Sequence, residues 1–458
     1  GTGKTTVLVD RLLALIRSGV AVSRVVASTF TEKAAGELKI RLRAELECAA
    51  RAAEENDPDS DETSILTTAL HQIDRAQVST IHGFCATLLK ERPVEAGVDP
   101  NFGVTDEFRR TVVLDTAWDS WVREQFSASL PDSVADAEAL GHGLDRIREL
   151  GFRLVEQRDL LDMVPGPVEA GDVGDLAADL ISEASAFAGL ARTECADPDD
   201  TALADIEDFA RQADMIEHVP DEGLVAYVLR QVNPRPVGRG KQGNWSEGVL
   251  ADIKARAKEL RERQAAHVTL LSHNAAVGLV EWLRGFVDAY EREKSRVGLL
   301  DFEDLLVKAR DLVRDNLEVR EDFKRAFDHI LLDEFQDTDP LQCELAFFLC
   351  EEEGGEAGSW SDVELEPGKL FLVGDPKQSI YRFRGADIET YEQAREIVSK
   401  SGRVLELVEN FRTRPEITDQ VNAVFEGIMH RPEDGRYQPD YAALSAFRER
   451  AEVGPGVI

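Results

Sequence analysis

Cysteine is sparse in this sequence. Cys48, Cys85, Cys195, Cys343 and Cys350 are the only five in 458 residues, and no two form a C-x-x-C pair. An odd, scattered set excludes a disulfide framework or a thiolate metal cluster as the organising feature, and it fits a reducing cytoplasm. No run of about 18 apolar residues occurs, so no transmembrane span is expected. Lysine is scarce too, at 13 of the 53 basic residues, whereas Asp and Glu total 88 and leave a formal net charge of −35. That balance is the reverse of a nucleic-acid binder whose affinity rests on Lys and Arg neutralising phosphates. The acidic residues are dispersed through every segment instead of forming a tail. This texture points to a protein kept soluble in concentrated salt, where charges are strongly screened. An acidic protein of an ordinary cytoplasm is the alternative.

What is present is a stretch of chemistry, Ile330-Leu331-Leu332-Asp333-Glu334-Phe335-Gln336-Asp337-Thr338. An apolar run of strand length ends in two adjacent carboxylates, as when a buried parallel strand delivers charge to the carboxyl edge of a sheet. Alone, such a pair is more often a solvated strand end. A partner loop changes the balance: Gly1-Thr2-Gly3-Lys4-Thr5-Thr6 reads as most of a phosphate-binding loop and runs into an apolar helix, Val7 to Ile16. With that loop, Asp333 can help hold Mg²⁺ and Glu334 can orient and deprotonate a water. The first Gly of a complete loop would precede Gly1, so the chain reads as part of a longer protein. The part alone is expected to be defective in hydrolysis and to lack one strand of its first sheet.

Taken in order, the chain alternates strand and helix: a strand over Val22 to Phe30, a helix from about Lys33 to Arg51, a loop from Glu54 to Glu62, then a strand over Gln77 to Thr80 and another helix. This predicts an α/β fold with a parallel sheet and helices on both faces. From about Phe108 to Val297 helical patterns dominate, which predicts an inserted, mainly helical domain. Its loop Val232 to Trp245 carries Arg235, Arg239, Lys241 and Trp245. That loop reads either as a surface connection or as a phosphate contact with a stacking residue. The α/β pattern returns at Leu299, where Asp301 reads as a helix N-cap. Further strands are expected over Lys369 to Asp375 and Val404 to Val408, and a helix ends at Gly402. The expected domains are 1–107 and 298–395 for the first α/β domain, 108–297 for the insert, and 396–458 for the start of a second domain.

Together these stretches resemble the UvrD/Rep-type superfamily 1 DNA helicases, most nearly the RecB and AddA helicase subunits of recombination-repair complexes. The resemblance covers Gly1 to Cys85, Leu299 to Ile388 and Val404 to Asn422, with the motifs in family order. It implies a RecA-like P-loop domain, an inserted helical domain and the start of a second RecA-like domain. It also implies ATP and Mg²⁺ as cofactors. Gly1, Thr2, Gly3, Lys4, Thr5 and Thr6 would hold the phosphates, and Thr5 and Asp333 the metal. Catalytic roles fall to Glu334, Asp333, Gln378 and Arg412. Gln378, in Gly374-Asp375-Pro376-Lys377-Gln378-Ser379-Ile380-Tyr381-Arg382-Phe383-Arg384, would sense the γ-phosphate. Phe411, in Asn410-Phe411-Arg412-Thr413-Arg414, would stack on adenine, and Arg412 would reach the γ-phosphate across the cleft. Arg412 also has a plainer reading, as a surface partner of Glu409 or Glu416.

For single-stranded DNA the resemblance implies contacts at Thr29, Phe30, Thr80, His82, Tyr381 and Phe383, while Phe84 reads as core. Phe383 stands where the family often has Trp, and Phe411 where it often has Tyr. Partners implied are single-stranded DNA, single/double-strand junctions and a nuclease or partner subunit of a repair complex, with no membrane. The implied function is an ATP-dependent helicase or translocase in recombination or repair. Alternatives are a nucleotide-dependent DNA-binding or regulatory protein without translocation, and an unrelated P-loop ATPase or small-molecule kinase.

Overall fold

Strands paired in parallel make up every sheet among the described residues. These are β1 (Val25–Thr29), β2 (Gln77–Thr80), β3 (Gly103–Val104), β4 (Leu299–Leu300), β5 (His329–Leu332), β6 (Leu370–Leu372), β7 (Glu409–Asn410) and β8 (Ser445–Ala446). The main sheet has the order β2-β1-β5-β6, and β3 pairs with β4 and β7 with β8. The computed structural model describes residues 2–169, 171–234, 240–381, 386–430 and 438–449, without the side chains of 221–224 and 226. Gly1, Arg235, Arg239, Arg382, Phe383 and Arg384 lie outside the described residues.

The register explains where the motifs meet. Thr29 lies beside Thr80, Ser28 beside Leu332, and Leu332 beside Leu372. The strands therefore end level, and the segments that follow them emerge along one carboxyl edge. Because side chains alternate between faces along a strand, Val25, Ala27 and Leu331 join one core with α1 (Lys4–Arg17), α2 (Glu32–Asn56) and α3 (Asp61–His71). Val26, Ile330 and Leu332 join the opposite core with α4 (Ile81–Glu91) and the helices Phe302–Asp315 and Pro340–Leu349. All five residues of β1 are buried, as a strand covered on both faces requires. Each fully buried aliphatic side chain contributes about 1.5–3 kcal/mol toward this arrangement.

Local signals set the boundaries. Thr31 caps α2 by accepting from Ala34 N–H at 3.1 Å, and Asp301 and Asp304 form a reciprocal capping box on the Phe302–Asp315 helix. Three segments differ from the sequence expectation. Val22–Arg24 is a 3₁₀ turn before β1, not part of the strand. The loop predicted over Glu54 to Glu62 shrinks to a few residues, because α2 continues to Asn56 and Ser60 caps α3 by accepting from Thr63 N–H at 3.1 Å. Val404 to Val408 forms no strand: only its last residue touches a ladder, Val408 O accepting from Ser445 N–H at 2.9 Å, and Leu405 stays 79% exposed. Pairing starts only at β7.

The chain divides into two compact units, Gly1–Val104 with Gly298–Ile458, and Thr105–Val297. The second is helical and includes a 49-residue helix, Val249–Val297, about 70 Å long at 1.5 Å per residue. Trp245 is only 6% exposed and belongs to that unit's core with Phe187, Phe209 and Leu250. The stacking role weighed for Trp245 is therefore overturned, since its ring faces apolar side chains instead of solvent. The adjoining loop is tied down by Asp200, which accepts from Lys241 N–H at 3.0 Å and Asn244 Nδ2 at 2.9 Å. Trp245→Ala is expected to cost about 3–5 kcal/mol of stability, read as a lower urea midpoint. An unchanged midpoint would contradict the core placement.

Candidate nucleotide and nucleic-acid site

The loop before α1 turns at Gly3, whose φ of 78° is left-handed and suits a residue without Cβ. Gly3 offers no side-chain cap. The first-turn N–H groups of α1, at Lys4, Thr5 and Thr6, therefore have no intrahelical partner and sit at the positive end of the helix dipole. Thr6 is exposed, whereas Thr2, Lys4 and Thr5 are half-buried. Oxygen-rich anions are what such a helix start recognises.

Opposite the loop, β5 delivers Asp333 and Glu334. Asp333 N–H continues the ladder to Ser28 O at 2.9 Å. Glu334 then adopts φ 52°, the one positive φ at a non-glycine among the described residues. A left-handed residue of this kind costs roughly 1–2 kcal/mol. The turn carries the carboxylate to Lys4, whose Nζ donates to Glu334 Oε2 at 2.7 Å. Gln336, to which the sequence assigned no role, donates from Nε2 to the same oxygen at 2.7 Å and to Asp337 Oδ2 at 3.2 Å. Its Oε1 accepts from Asp375 N–H at 2.8 Å. Asp375 in turn accepts from Gln378 Nε2 at 2.8 Å. Lys4, Glu334, Gln378 and Asp333 are thus gathered at one sheet edge, although Gln378 itself is exposed.

The electrostatics separate the two carboxylates. Burial pushes Glu334 up, but hydrogen bonds from Lys4 and Gln336 and the Lys4 charge outweigh it and leave the carboxyl below its ordinary range. Asp333 moves the other way, raised by burial and then by the Glu334 charge. It accepts from Glu334 N–H at 3.0 Å, and among the described residues no Lys or Arg pairs with it. Asp333, an acid held half-buried beside a second acid, is an oxygen donor of the kind a hard divalent cation takes.

A second cluster follows β1 and β6. Phe30 and Tyr381 stack with ring centroids 5.3 Å apart and planes 28° apart. His82 stands edge-on to Phe302 at 5.4 Å, and Phe302 is a solvent-facing aromatic that the sequence marks only as the residue after a cap. Burial lowers the His82 pKa against the opposing Glu32 charge, which favours the neutral ring. Thr29 and Thr80 are buried, and their hydroxyls are engaged within the protein. Thr29 Oγ1 donates to Thr31 O at 3.1 Å, and Thr80 Oγ1 donates to Glu32 Oε1 at 2.7 Å while capping α4 through Gly83 N–H. The structure therefore places both threonines as supports for the edge, not as free donors to a phosphate.

Phe411 packs over the loop, its ring 3.9 Å from where a Cβ on Gly3 would project, and it also meets Phe447 at 4.9 Å. Asn410 Oδ1 accepts from the N–H groups of Arg412 and Thr413 at 2.9 and 3.0 Å. The Arg412 side chain is exposed and, among the described residues, makes no ion pair with Glu409 or Glu416. A cleft of about 630 Å³ opens beside Thr2, Lys4, Asp375, Lys377, Leu407 and Tyr441.

Residues 1–399 match the UvrD/REP helicase N-terminal domain family. The chain is 28% identical to an ATP-dependent helicase/nuclease subunit of Enterococcus faecalis, over 99% of this chain and 38% of that protein. It is 27% identical to the like-named protein from Staphylococcus aureus strain USA300, over 94% of this chain and 38% of the relative. For the like-named Latilactobacillus sakei protein the figures are 26% identity, 99% and 55%. The chain thus spans about two-fifths to just over half the length of these relatives. With a phosphate-loop helix start, an Asp-Glu strand end and a stacked aromatic pair on one sheet edge, and with a family match over most of its length, this chain belongs to the UvrD/REP helicase family.

Proposed function

We propose that the whole protein is an ATP-dependent motor that moves along single-stranded DNA and separates strands at junctions, in recombination or repair. The observation that carries this reading is the unbroken run of contacts from Lys4 through Glu334, Gln336 and Asp375 to Gln378, ending three residues before Tyr381 of the aromatic pair. Hydrolytic and nucleic-acid groups share one edge, so a change at one can be felt at the other. Residues 1–107 and 298–395 form the first RecA-like domain in this reading, 108–297 its helical insert, and 396–458 the opening of a second RecA-like domain. The description helicase/nuclease, borne by the relatives together with the word subunit, supports a partner subunit or nuclease for the whole protein. No helix among the described residues is long and apolar enough to cross a membrane, and a cytoplasmic site of action suits the free cysteines.

ATP when bound supplies the phosphoanhydride whose cleavage drives movement, and Mg²⁺ held by Thr5 and Asp333 supplies charge neutralisation at the phosphates. The chain's own residues do the rest. The loop from Gly1 through Thr6 binds the phosphates, and Lys4 offers them its charge once it leaves Glu334. Glu334, released from Lys4 but still held by Gln336, accepts a proton from the attacking water. Gln378 positions that water, Phe411 stacks on the base, and Arg412 stabilises the charge that develops on the transferred phosphoryl group. Phe30, His82, Tyr381 and Phe383 contact DNA bases.

With so few lysines and so many acids, affinity for DNA should rest more on stacking, at about 1–3 kcal/mol per base, than on counterion release. The expected result is a shallow dependence of binding on salt and a loss of about 10-fold or more in affinity for Phe30→Ala or Tyr381→Ala. Fluorescence anisotropy with labelled oligonucleotides across a KCl series checks this, and strand displacement with ATP checks the motor. A steep inverse salt slope with little effect of either substitution would contradict the stacking account. Binding without strand displacement would favour a nucleotide-dependent DNA-binding protein.

A further inference from the structure

We propose that Gln336 is a positioning residue that joins the Glu334 carboxylate to the loop after β6, so that hydrolysis and DNA contact respond to each other. The inference rests on the functional reading above, in which Glu334 serves hydrolysis and Tyr381 meets DNA. Its basis is an amide used at both ends. Asp375 N–H can only donate, which fixes Gln336 Oε1 on that side and aims Nε2 at Glu334 and Asp337. The backbone carbonyl of Gln336 also accepts from Ser379 Oγ at 3.1 Å. Two bonds therefore suspend the segment 375–379 from this one residue, and Tyr381 follows closely, stacked on Phe30.

The residue is 3% exposed, so water cannot replace the amide cheaply. Asn is one methylene too short to reach both sides. Met fills the volume but neither donates nor accepts, and an ionised Glu accepts only. The approach of the loop is close. A Cβ on Gly374 would stand 3.0 Å from Gln336 Oε1 and 3.2 Å from its backbone nitrogen, so a larger residue there must push the amide away. When Lys4 turns to a phosphate, the Glu334 carboxylate keeps its hydrogen bond from Gln336, and any rotation of the carboxylate is passed to Asp375 through a group with no slack.

The test uses the whole protein, with Gln336→Met, Gln336→Glu and Gly374→Ala. Steady-state ATP hydrolysis is measured with and without single-stranded DNA, together with thermal unfolding. Gln336→Met is expected to lower DNA-stimulated turnover by about 10²-fold, the scale of a misplaced catalytic group, with a much smaller change in KM for ATP. Gly374→Ala should show the same pattern more weakly. The pH profile of Gln336→Glu separates positioning from mere packing. The introduced carboxyl would face Glu334, Asp337 and Asp375, with Lys4, Lys377, Asp333 and Tyr391 around them. Burial and this excess of acids hold it protonated to a higher pH than usual. Protonated, it donates its O–H to Glu334 and accepts from Asp375 through its carbonyl oxygen.

Activity of Gln336→Glu should therefore be low at about pH 8.5 and recover toward about pH 6, a recovery absent from Gln336→Met and from the unsubstituted protein. Two results would overturn the proposal. One is turnover and DNA stimulation in Gln336→Met equal to the unsubstituted protein. The other is an equal loss for Gln336→Glu at every pH, tracking a fall in melting temperature. If the unsubstituted protein hydrolyses ATP with no response to DNA, the functional reading fails first and this inference with it, a result visible before any variant is compared.

Discussion

Glu334→Gln should lower ATP turnover by about 10²- to 10⁴-fold, the contribution of a positioned general base, while nucleotide binding tightens. The carboxylate is held in place by a left-handed backbone that turns it toward Lys4 and by Lys4 and Gln336 on Oε2, the geometry that the proposed role requires. An amide in its place keeps the volume and can still accept from Lys4, but it takes no proton from water. It also weakens the grip on Lys4, which a phosphate must otherwise compete with the carboxylate to obtain. Stability should change little, because a half-exposed ion pair of this kind contributes about 0–1 kcal/mol. That small contribution has a definite pH sign. The Glu334 carboxyl is depressed on folding, so its stabilisation is present above the ordinary carboxylate range and disappears as pH falls through the lower folded value. Single-turnover hydrolysis and equilibrium binding of a fluorescent nucleotide separate the two effects. Turnover within a few-fold of the unsubstituted protein would remove Glu334 from the chemistry.

Arg412→Ala should cost more, about 10³- to 10⁵-fold in kcat, the range for an arginine that stabilises phosphoryl transfer. The proposed role needs a side chain kept available, not one engaged at the surface. Asn410 fixes the backbone of Arg412 and Thr413, while neither Glu409 nor Glu416 holds the guanidinium among the described residues. The fixed turn follows β7 and places Phe411 against Gly3, so in the proposed mechanism the same short segment would serve both the base and the phosphate ends of a nucleotide. Arg412→Lys should rescue poorly, since an ammonium lacks the planar, forked donor set. The measurement is kcat and KM for ATP with saturating single-stranded DNA. A kcat unchanged by Arg412→Ala would return the residue to the plain surface role.

Much of this site is legible in the sequence, and the reasons are local. Apolar runs ending in Asp333-Glu334 and Gly374-Asp375 announce parallel strands, and Asp301 announces a helix start. What cannot be read there is long-range or geometric. Gln336 shows no pattern of its own, because its function lies in reaching residues 39 positions away. Nothing in sequence reveals that Glu334 takes a left-handed turn. The hydroxyls of Thr29 and Thr80 look available because hydroxyl donors beside a helix start often are, yet Thr31 and Glu32 occupy them. Trp245 misleads for a related reason: Gly, Pro and Arg neighbours suggest a surface loop, but the ring turns inward to fill a helical core. Val404 to Val408 has strand composition, but before Val408 no described residue is assigned to a ladder with it, and a strand needs its ladder.

In the proposed mechanism one sheet edge couples nucleotide hydrolysis to single-stranded DNA. The most direct test is ATP hydrolysis by the whole protein in about molar KCl, where electrostatic screening is nearly complete, with and without single-stranded DNA and with Glu334→Gln as control. Strong stimulation by DNA that persists in this salt and is lost in the variant is the expected result. Hydrolysis indifferent to DNA would contradict it.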